Sequence, residues 1–266
     1  MRMILFACAA ALGLAGCGNT GEATQGDAPA SEYSADRYRS AIADIARPAA
    51  DREQDAARKP GEFLAFAQID PGEKVGDYIM GGGYMTRLLA TAVGFEGKVY
   101  AFQPDEFIAF RSEYATEQDA AVAPYTDEEG NHLRVVPLRG PVAAPPFPEP
   151  LDTIVTAMNL HDLYIGAMPE GTGTKAIASL YAALKPGGRL VVVDHSAREG
   201  SGTGDTDQLH RIDRQAAIAA LTAAGFVLEE ESDLYRRPDD PRTANVFDSS
   251  IRGRTDQFAL RLRKPG

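Results

Sequence analysis

The 266-residue chain holds four histidines, and three of them sit beside charged groups in polar stretches. His161 precedes Asp162 in "AMNLHDLY", His195 follows Asp194 at the end of "RLVVVDH", and His210 precedes Arg211 in "LHRID". An unperturbed imidazole changes charge near neutral pH, so each can deprotonate a hydroxyl or an acidic carbon. The bland alternative is that these histidines hydrogen-bond and order loops. A metal site built from His161, His195, His210 and an Asp is a third reading. No tight spacing such as His-x-x-x-His supports it, so no metal is expected. A second chemical signal is "VGDYIMGGGYMTRLLA", Val75 to Ala90, where Gly81, Gly82 and Gly83 separate two apolar runs. A strand-to-helix turn needs one glycine or two. Glycine permits positive φ and close approach of another group, at an entropic cost. Three in a row suggest a ligand lying against the turn; a ligand-free turn is the bland reading.

The elements that must position these residues follow from periodicity. Asp36 to Lys59 is charged and Ala-rich, reads as two amphipathic helices, and is broken by Pro48. "PGEFLAFAQI" starts a further helix with Pro60 near its N-terminus. "KVGDYI", "GKVYAFQP", "HLRVVPL", "LDTIVTAMN", "RLVVVDH", "VLEEESD" and "TDQFALRLRKP" read as strands. "TRLLATAVG", "PDEFIAFRSEYATEQDAAVA", "GTKAIASLYAALKPGG" and "RQAAIAALTAAGF" read as the helices between them. The fifth strand is apolar throughout, as a central parallel strand is. Strands alternating with helices imply a doubly wound α/β sheet, with ligands beyond the carboxyl ends of the strands at the order switch. On that layout His161, Asp162, Asn159 and Tyr164 follow strand four, Asp194 and His195 end strand five, and His210 precedes the next helix. His132 lies elsewhere. Arg236 to Thr243, "RRPDDPRT", reads as a solvated loop able to cap a pocket. Arg252, Arg254 and Asp256 read as an ion-pair group, and Asp152 as a turn residue.

The first residues, "MRMILFACAAALGLAGC", have one basic residue, a short apolar core and small residues before Cys17, the pattern of a secretory signal peptide. Leu14-Ala15-Gly16-Cys17 resembles a bacterial lipobox. The resemblance implies cleavage before Cys17, lipidation of that cysteine and stable membrane anchoring by several acyl chains. Gly18, by resemblance to Gram-negative lipoproteins, directs the protein to the outer membrane, facing the periplasm. Residues 1–16 are then signal peptide, 17–33 a polar tether, and 34–266 one domain that begins with helices over 34–70. The other cysteine, Cys8, leaves with the signal, so the mature body holds no disulfide and no thiolate metal site. The net charge of −11 argues against a nucleic-acid partner. It also leaves the acyl chains, not the surface, as the hold on the membrane.

The order of "DYIMGGGYMT", "GKVYAFQPDE", "LDTIVTAMNLHDLY", "LKPGGRLVVVDH", "LHRID", "AAGF" and "IRGRTDQFALRLRKP" resembles the class I S-adenosylmethionine-dependent methyltransferases. Within them it is similar to a bacterial group known only as predicted methyltransferases. The resemblance implies a Rossmann-like, seven-stranded, mostly parallel sheet whose last strand is antiparallel. It implies S-adenosyl-L-methionine as cofactor, bound by the loop after strand one. There Asp77 matches the acid of the family's acid-x-Gly-x-Gly-x-Gly pattern, and Gly81 and Gly83 match its second and third glycines. Gly82, Tyr84 and Asn159 fall beside them. Ile79 stands where the first glycine would be, and Gln103 where an acid holds the ribose hydroxyls; Asp105 or Glu106 follow in the next turn. The implied activity is methyl transfer to an unidentified small-molecule or lipid acceptor, with His161 foremost, then Asp162, His195 and His210, on the acceptor side. The alternative of another class is a lipoprotein that keeps the fold, binds a small molecule and has lost catalysis.

Overall fold

The apolar runs read as strands pair into one seven-stranded sheet in a computed structural model that describes residues 32–266. Cys17, the signal peptide and most of the tether lie outside the described residues; Glu32–Gly266 form one unit. The strands are β1 (Lys74–Tyr78), β2 (Lys98–Pro104), β3 (Val135–Gly140), β4 (Leu151–Ala157), β5 (Leu184–His195), β6 (Val227–Ser232) and β7 (Gln257–Arg263). Their order is β3-β2-β1-β4-β5-β7-β6. β1 pairs parallel with β2 and β4, as do β2 with β3 and β4 with β5. β7 runs antiparallel to both β5 and β6. The doubly wound sheet with an antiparallel last strand is therefore present as the sequence implied.

The helices are α1 (Arg39–Ala43), α2 (Ala49–Arg52), α3 (Asp55–Arg58), α4 (Pro60–Ala67), α5 (Tyr84–Ala92), α6 (Asp105–Phe110), α7 (Glu113–Val122), α8 (Thr172–Ala183), α9 (Thr206–Leu209) and α10 (Arg214–Ala223). Alternate strand residues feed two cores. Val75, Val99, Val155, Val191 and Ala259 pack with Phe63, Leu64, Leu88 and Leu89 on one face. Tyr78, Phe102, Ile154, Leu190, Leu260 and Leu262 pack with Ile177, Leu180, Ala217 and Leu221 on the other. Both faces are covered, which is why the central strands read as unbroken apolar runs. Among the described residues no helix is long and apolar enough to cross a membrane.

Three boundaries differ from the sequence reading. "LKPGG" is not the end of a helix: α8 stops at Ala183 and Leu184 is already extended (φ −80°, ψ 145°). Pro186 clashes with helical geometry in the residue before it, so the chain enters β5 early. The long helix over 104–123 breaks at Arg111 (φ −142°, ψ 102°) into α6 and α7. The two amphipathic helices before Pro60 are short pieces: a 3₁₀ turn (Ala35–Tyr38) running into α1, then α2 and α3. Charge pairing holds these pieces down. Arg87 of α5 grips the Asp51 carboxylate with two bonds of 2.7 and 2.8 Å, and Arg47 holds Asp55 at 2.5 Å.

The segment after β6 also corrects an expectation. "RRPDDPRT" is not simply solvated, because Asp240 is buried against the fully buried Arg211 at 2.8 Å. Arg211 donates in addition to the carbonyls of Ser196 and Ala244, and Asp240 accepts the amides of Arg242 and Asp256. Asp256 pairs with Arg242 at 2.8 Å and Arg236 at 3.3 Å, not with Arg252 or Arg254. Asp152 accepts the Lys74 amide and pairs with the Lys185 ammonium, closing the far end of the sheet. Asp240→Ala leaves a buried guanidinium uncompensated and is expected to cost about 3–5 kcal/mol in denaturant unfolding. Asp119→Ala, which breaks an exposed pair with Arg139, is expected to cost no more than about 1 kcal/mol in the same assay.

Candidate functional site

β1 and β4 are neighbours in the sheet, but the chain leaves β1 toward β2 and leaves β4 toward β5, so a crevice opens beyond their carboxyl ends. A cavity of about 820 Å³ fills it, a size at the upper end of small-ligand sites, roughly 300–1,000 Å³. The glycine loop and α6 form one end, and the three histidines form the other. α3 and the segment after β6 also contribute to its walls, through Arg58, Tyr235 and Arg237.

The glycines divide by role. Gly81 has φ +54° and nothing within 4 Å of where a Cβ would stand; at Gly82 only a Glu117 oxygen comes within 3.9 Å. Both line the cavity, so their missing side chains leave an open floor. Gly83 does not line it. A Cβ on Gly83 would stand 2.6 Å from Ala121 and 2.8 Å from Arg87, and its φ is +82°. Gly83 therefore serves packing against α7 and the entry to α5, and the sequence reading of it as part of the floor is corrected.

Ile79, which stands where the family pattern has its first glycine, takes a backbone conformation that suits glycine. Its φ is +65°, in the left-handed region that a β-branched residue rarely enters. Met158, after β4, does the same at +63°. Both line the cavity. Such strain persists only where the surroundings over-determine it. Here Asn159 supplies the clamp, donating from Nδ2 to the carbonyls of Ile79 (3.0 Å) and Ala157 (2.7 Å). The loop path is thus kept without the first glycine.

The acids sort similarly. Asp77 faces the cavity and accepts a 2.5 Å bond from the Thr86 hydroxyl; burial pushes its carboxyl up to about 6 despite that bond. Gln103 is fully buried beneath the loop, accepts the Gly81 amide at 3.0 Å, and leaves Nε2 without a partner. It does not line the cavity, which corrects its reading as a direct contact. Glu106, one turn into α6, does line it, with one carboxylate oxygen accepting the Val142 amide at 2.9 Å. Asp105 is exposed. Tyr84 lines the cavity too, donating its hydroxyl to Asp55 at 2.8 Å, and Arg58 lies 4.4 Å over its ring. Arg58 has no carboxylate partner among the described residues, and burial lowers its guanidinium. The sequence offered no signal for Arg58.

At the other end the structure brings His161, Asp162, His195 and His210 together. The ring centroids of His161 and His210 are 5.4 Å apart, and those of His161 and His195 6.0 Å. His161 is buried. Its Nδ1 donates to Asp194 Oδ1 at 2.7 Å, its amide donates to Asp194 Oδ2 at 2.7 Å, and Nε2 lies 3.2 Å from Asp162 Oδ1. Burial alone would lower this imidazole, but the Asp194 and Asp162 carboxylates push it up to about 10. Burial would likewise raise Asp162, yet bonds from His161 and His210 hold it down to about 2. His195 differs: burial pushes it down to about 4 against the pull of Asp194, and Nδ1 meets the Thr255 hydroxyl at 2.9 Å. It is a neutral imidazole at pH 7, unlike His161. Tyr164 does not line the cavity; it packs against Gly173 of α8. Phe110 and Phe247, 88% and 60% exposed, line the cavity as well. Single exposed aromatics are common, so nothing in the chain order connects them.

No family model matches the chain. The ubiquinone/menaquinone biosynthesis C-methyltransferase UbiE of Marinomonas sp. (strain MWYL1) is 29% identical over 116 residues, which are 43% of this chain and 41% of that protein. The match thus spans about two fifths of the length of that relative. A crystal structure of a SAM dependent methyltransferase from Aquifex aeolicus superposes with a TM-score of 0.51 at 18% identity, over 82% of this chain and 98% of that one. The 4+2 cyclase SpnF superposes with a TM-score of 0.55 at 20% identity, over 82% of each chain. With the strand order above, the fold is that of the class I S-adenosylmethionine-dependent methyltransferases. The cyclase is a reminder that this fold does not dictate one reaction.

Gly83→Val is expected to destabilise the fold by roughly 2–6 kcal/mol, combining overpacking with left-handed strain. Thermal unfolding checks it.

Proposed function

We propose that the protein is an S-adenosylmethionine-dependent methyltransferase acting on a small-molecule or lipid acceptor. The observation that carries this reading is the side-chain-free floor at Gly81 and Gly82, facing an 820 Å³ cavity at the β1/β4 switch. An open floor beside a buried, clamped backbone fits a flat ligand that lies close to the chain. Glu106 would hold the ribose hydroxyls, supplying from α6 the carboxylate that Gln103 does not. Arg58, cationic and without a carboxylate partner, would meet the cofactor carboxylate, helped by the positive N-terminal end of α5. Asp77, Tyr84 and Asn159 complete that end. When bound, the sulfonium supplies an electrophilic methyl group.

The protein's own part is alignment and proton handling. His195 is neutral at pH 7 and its Nε2 has no partner among the described residues, so it can take a proton from an acceptor hydroxyl or acidic carbon. His161, already protonated, Asp162 and His210 order that end and set its charge. Phe110 and Phe247 give the cavity apolar walls suited to a ring or a lipid tail. The name of the partial relative is the reason to test quinol-type rings early. Anchoring through Cys17 would hold the cavity near membrane-borne acceptors.

Gly82→Val should abolish binding of S-adenosylmethionine and of its demethylated product in calorimetry, while changing stability by less than about 1 kcal/mol, because its side chain enters open space. Equal affinity in parent and variant would remove the glycine floor from the site. For the anchor, Cys17→Ser should move the protein from the membrane pellet to the soluble fraction. If the two fractionate alike, the lipoprotein reading fails.

A further inference from the structure

The acceptor end carries more negative charge than base catalysis needs. Asp194 is fully buried and Asp162 half-buried, and neither has a lysine or arginine partner among the described residues. Among the described residues their side-chain ion-pair neighbours are the imidazoles of His161 and His210. One ligand atom each from His161, Asp162 and His210 lies within 4.8 Å of the others, and all three residues line the cavity. Asp162 Oδ1 is central, 3.2 Å from His161 Nε2 and 3.7 Å from His210 Nδ1. Asp194 bonds His161 through Nδ1, on the far side of the ring, at 2.7 Å. A ligating imidazole is typically fixed this way, its other nitrogen donating to a carboxylate that sets tautomer and orientation.

We propose that His161 Nε2, Asp162 Oδ1 and His210 Nδ1 bind one divalent transition-metal cation, with Asp194 holding His161 in place. Two imidazoles and one carboxylate suit zinc, iron, cobalt or manganese better than magnesium or calcium, which prefer all-oxygen sites. Three protein ligands leave coordination positions open toward the cavity, as catalytic rather than structural sites do. Two features support a built site rather than a chance cluster. The Asp194 carboxylate is locked by the amides of both His161 and His195 in addition to the His161 ring. His210 has φ +52°, a left-handed turn that presents its ring to Asp162 at the cost of backbone strain. On binding, His161 Nε2 gives up its proton to solvent, and the cation takes the place of that proton against Asp162. An acceptor oxygen entering an open position would be polarised by the cation, which lowers the pKa of a bound hydroxyl.

The test is titration of the untagged, EDTA-treated full chain with Co²⁺, read by its visible d–d absorption and by bound metal per chain after dialysis. One Co²⁺ per chain, displaced by Zn²⁺, is expected. Asp194→Asn should weaken binding by roughly 10- to 100-fold, the usual effect of losing an orienting carboxylate. Asp162→Asn, nearly isosteric, and His210→Gly, which relieves the left-handed strain, should weaken it at least as much. His132→Ala, at an exposed turn elsewhere, should leave it unchanged. Absence of absorption bands at millimolar Co²⁺ would overturn the proposal. So would unchanged binding in Asp162→Asn and His210→Gly variants whose melting curves show them folded. The titration needs neither methyl donor nor acceptor, so its failure leaves the methyl-transfer reading standing.

Discussion

The Asp194 carboxylate is the constraint on which the site depends. It sits at the end of β5, fully buried, and accepts three N–H bonds: two backbone amides and one imidazole. Through them the loop after β4 is tied to the end of β5, and the His161 ring is fixed beside His195 and His210. A buried carboxylate is stable only when such donors surround it. The antiparallel β7 backs this corner, with Phe258 opposite Asp194 and Thr255 meeting His195. Without that carboxylate the histidine wall would lose its order while the rest of the sheet stood.

The opposite end of the cavity rests on a different device. There the backbone itself lines the cavity, and it is held in unfavourable conformations by polar side chains. Asn159 clamps Ile79, and Gln103 holds Gly81 from beneath. The Ile79 and Gln103 departures from the family pattern, which in sequence favour a binding protein that has lost catalysis, are absorbed locally. Ile79 itself takes a left-handed turn, and the Glu106 carboxylate lines the cavity from α6. Arg211, Asp240, Arg242 and Asp256 form a buried charge network that anchors the segment after β6 beside the cavity.

The strand positions and the doubly wound sheet were legible because most strands are short apolar runs separated by glycine and proline; the antiparallel last strand came with the family resemblance. The convergence of His161, His195 and His210 was legible once the strands were ordered, since residues at carboxyl ends meet. What the sequence hid was direction. Gly81 and Gly83 look alike in the chain, yet one faces open space and the other Ala121. Gln103 and Glu106 are three residues apart, and only the helical turn of α6 decides which reaches the cavity. Arg58 was invisible because its place at the cavity depends on α3 being held by the hydroxyls of Tyr84 and Tyr235, far along the chain. The break at Arg111 overrides helical periodicity, whereas the early end of α8 follows from Pro186.

The central claim is that one cavity holds a methyl donor over Gly81 and Gly82 and an acceptor at the histidine wall. A crystal structure of the protein with the demethylated cofactor tests it most directly. The account predicts the ligand lying across Gly81 and Gly82, with its ribose hydroxyls at Glu106 and its carboxylate toward Arg58. A ligand bound elsewhere, or a cavity that stays free of it at saturating concentration, would contradict the account.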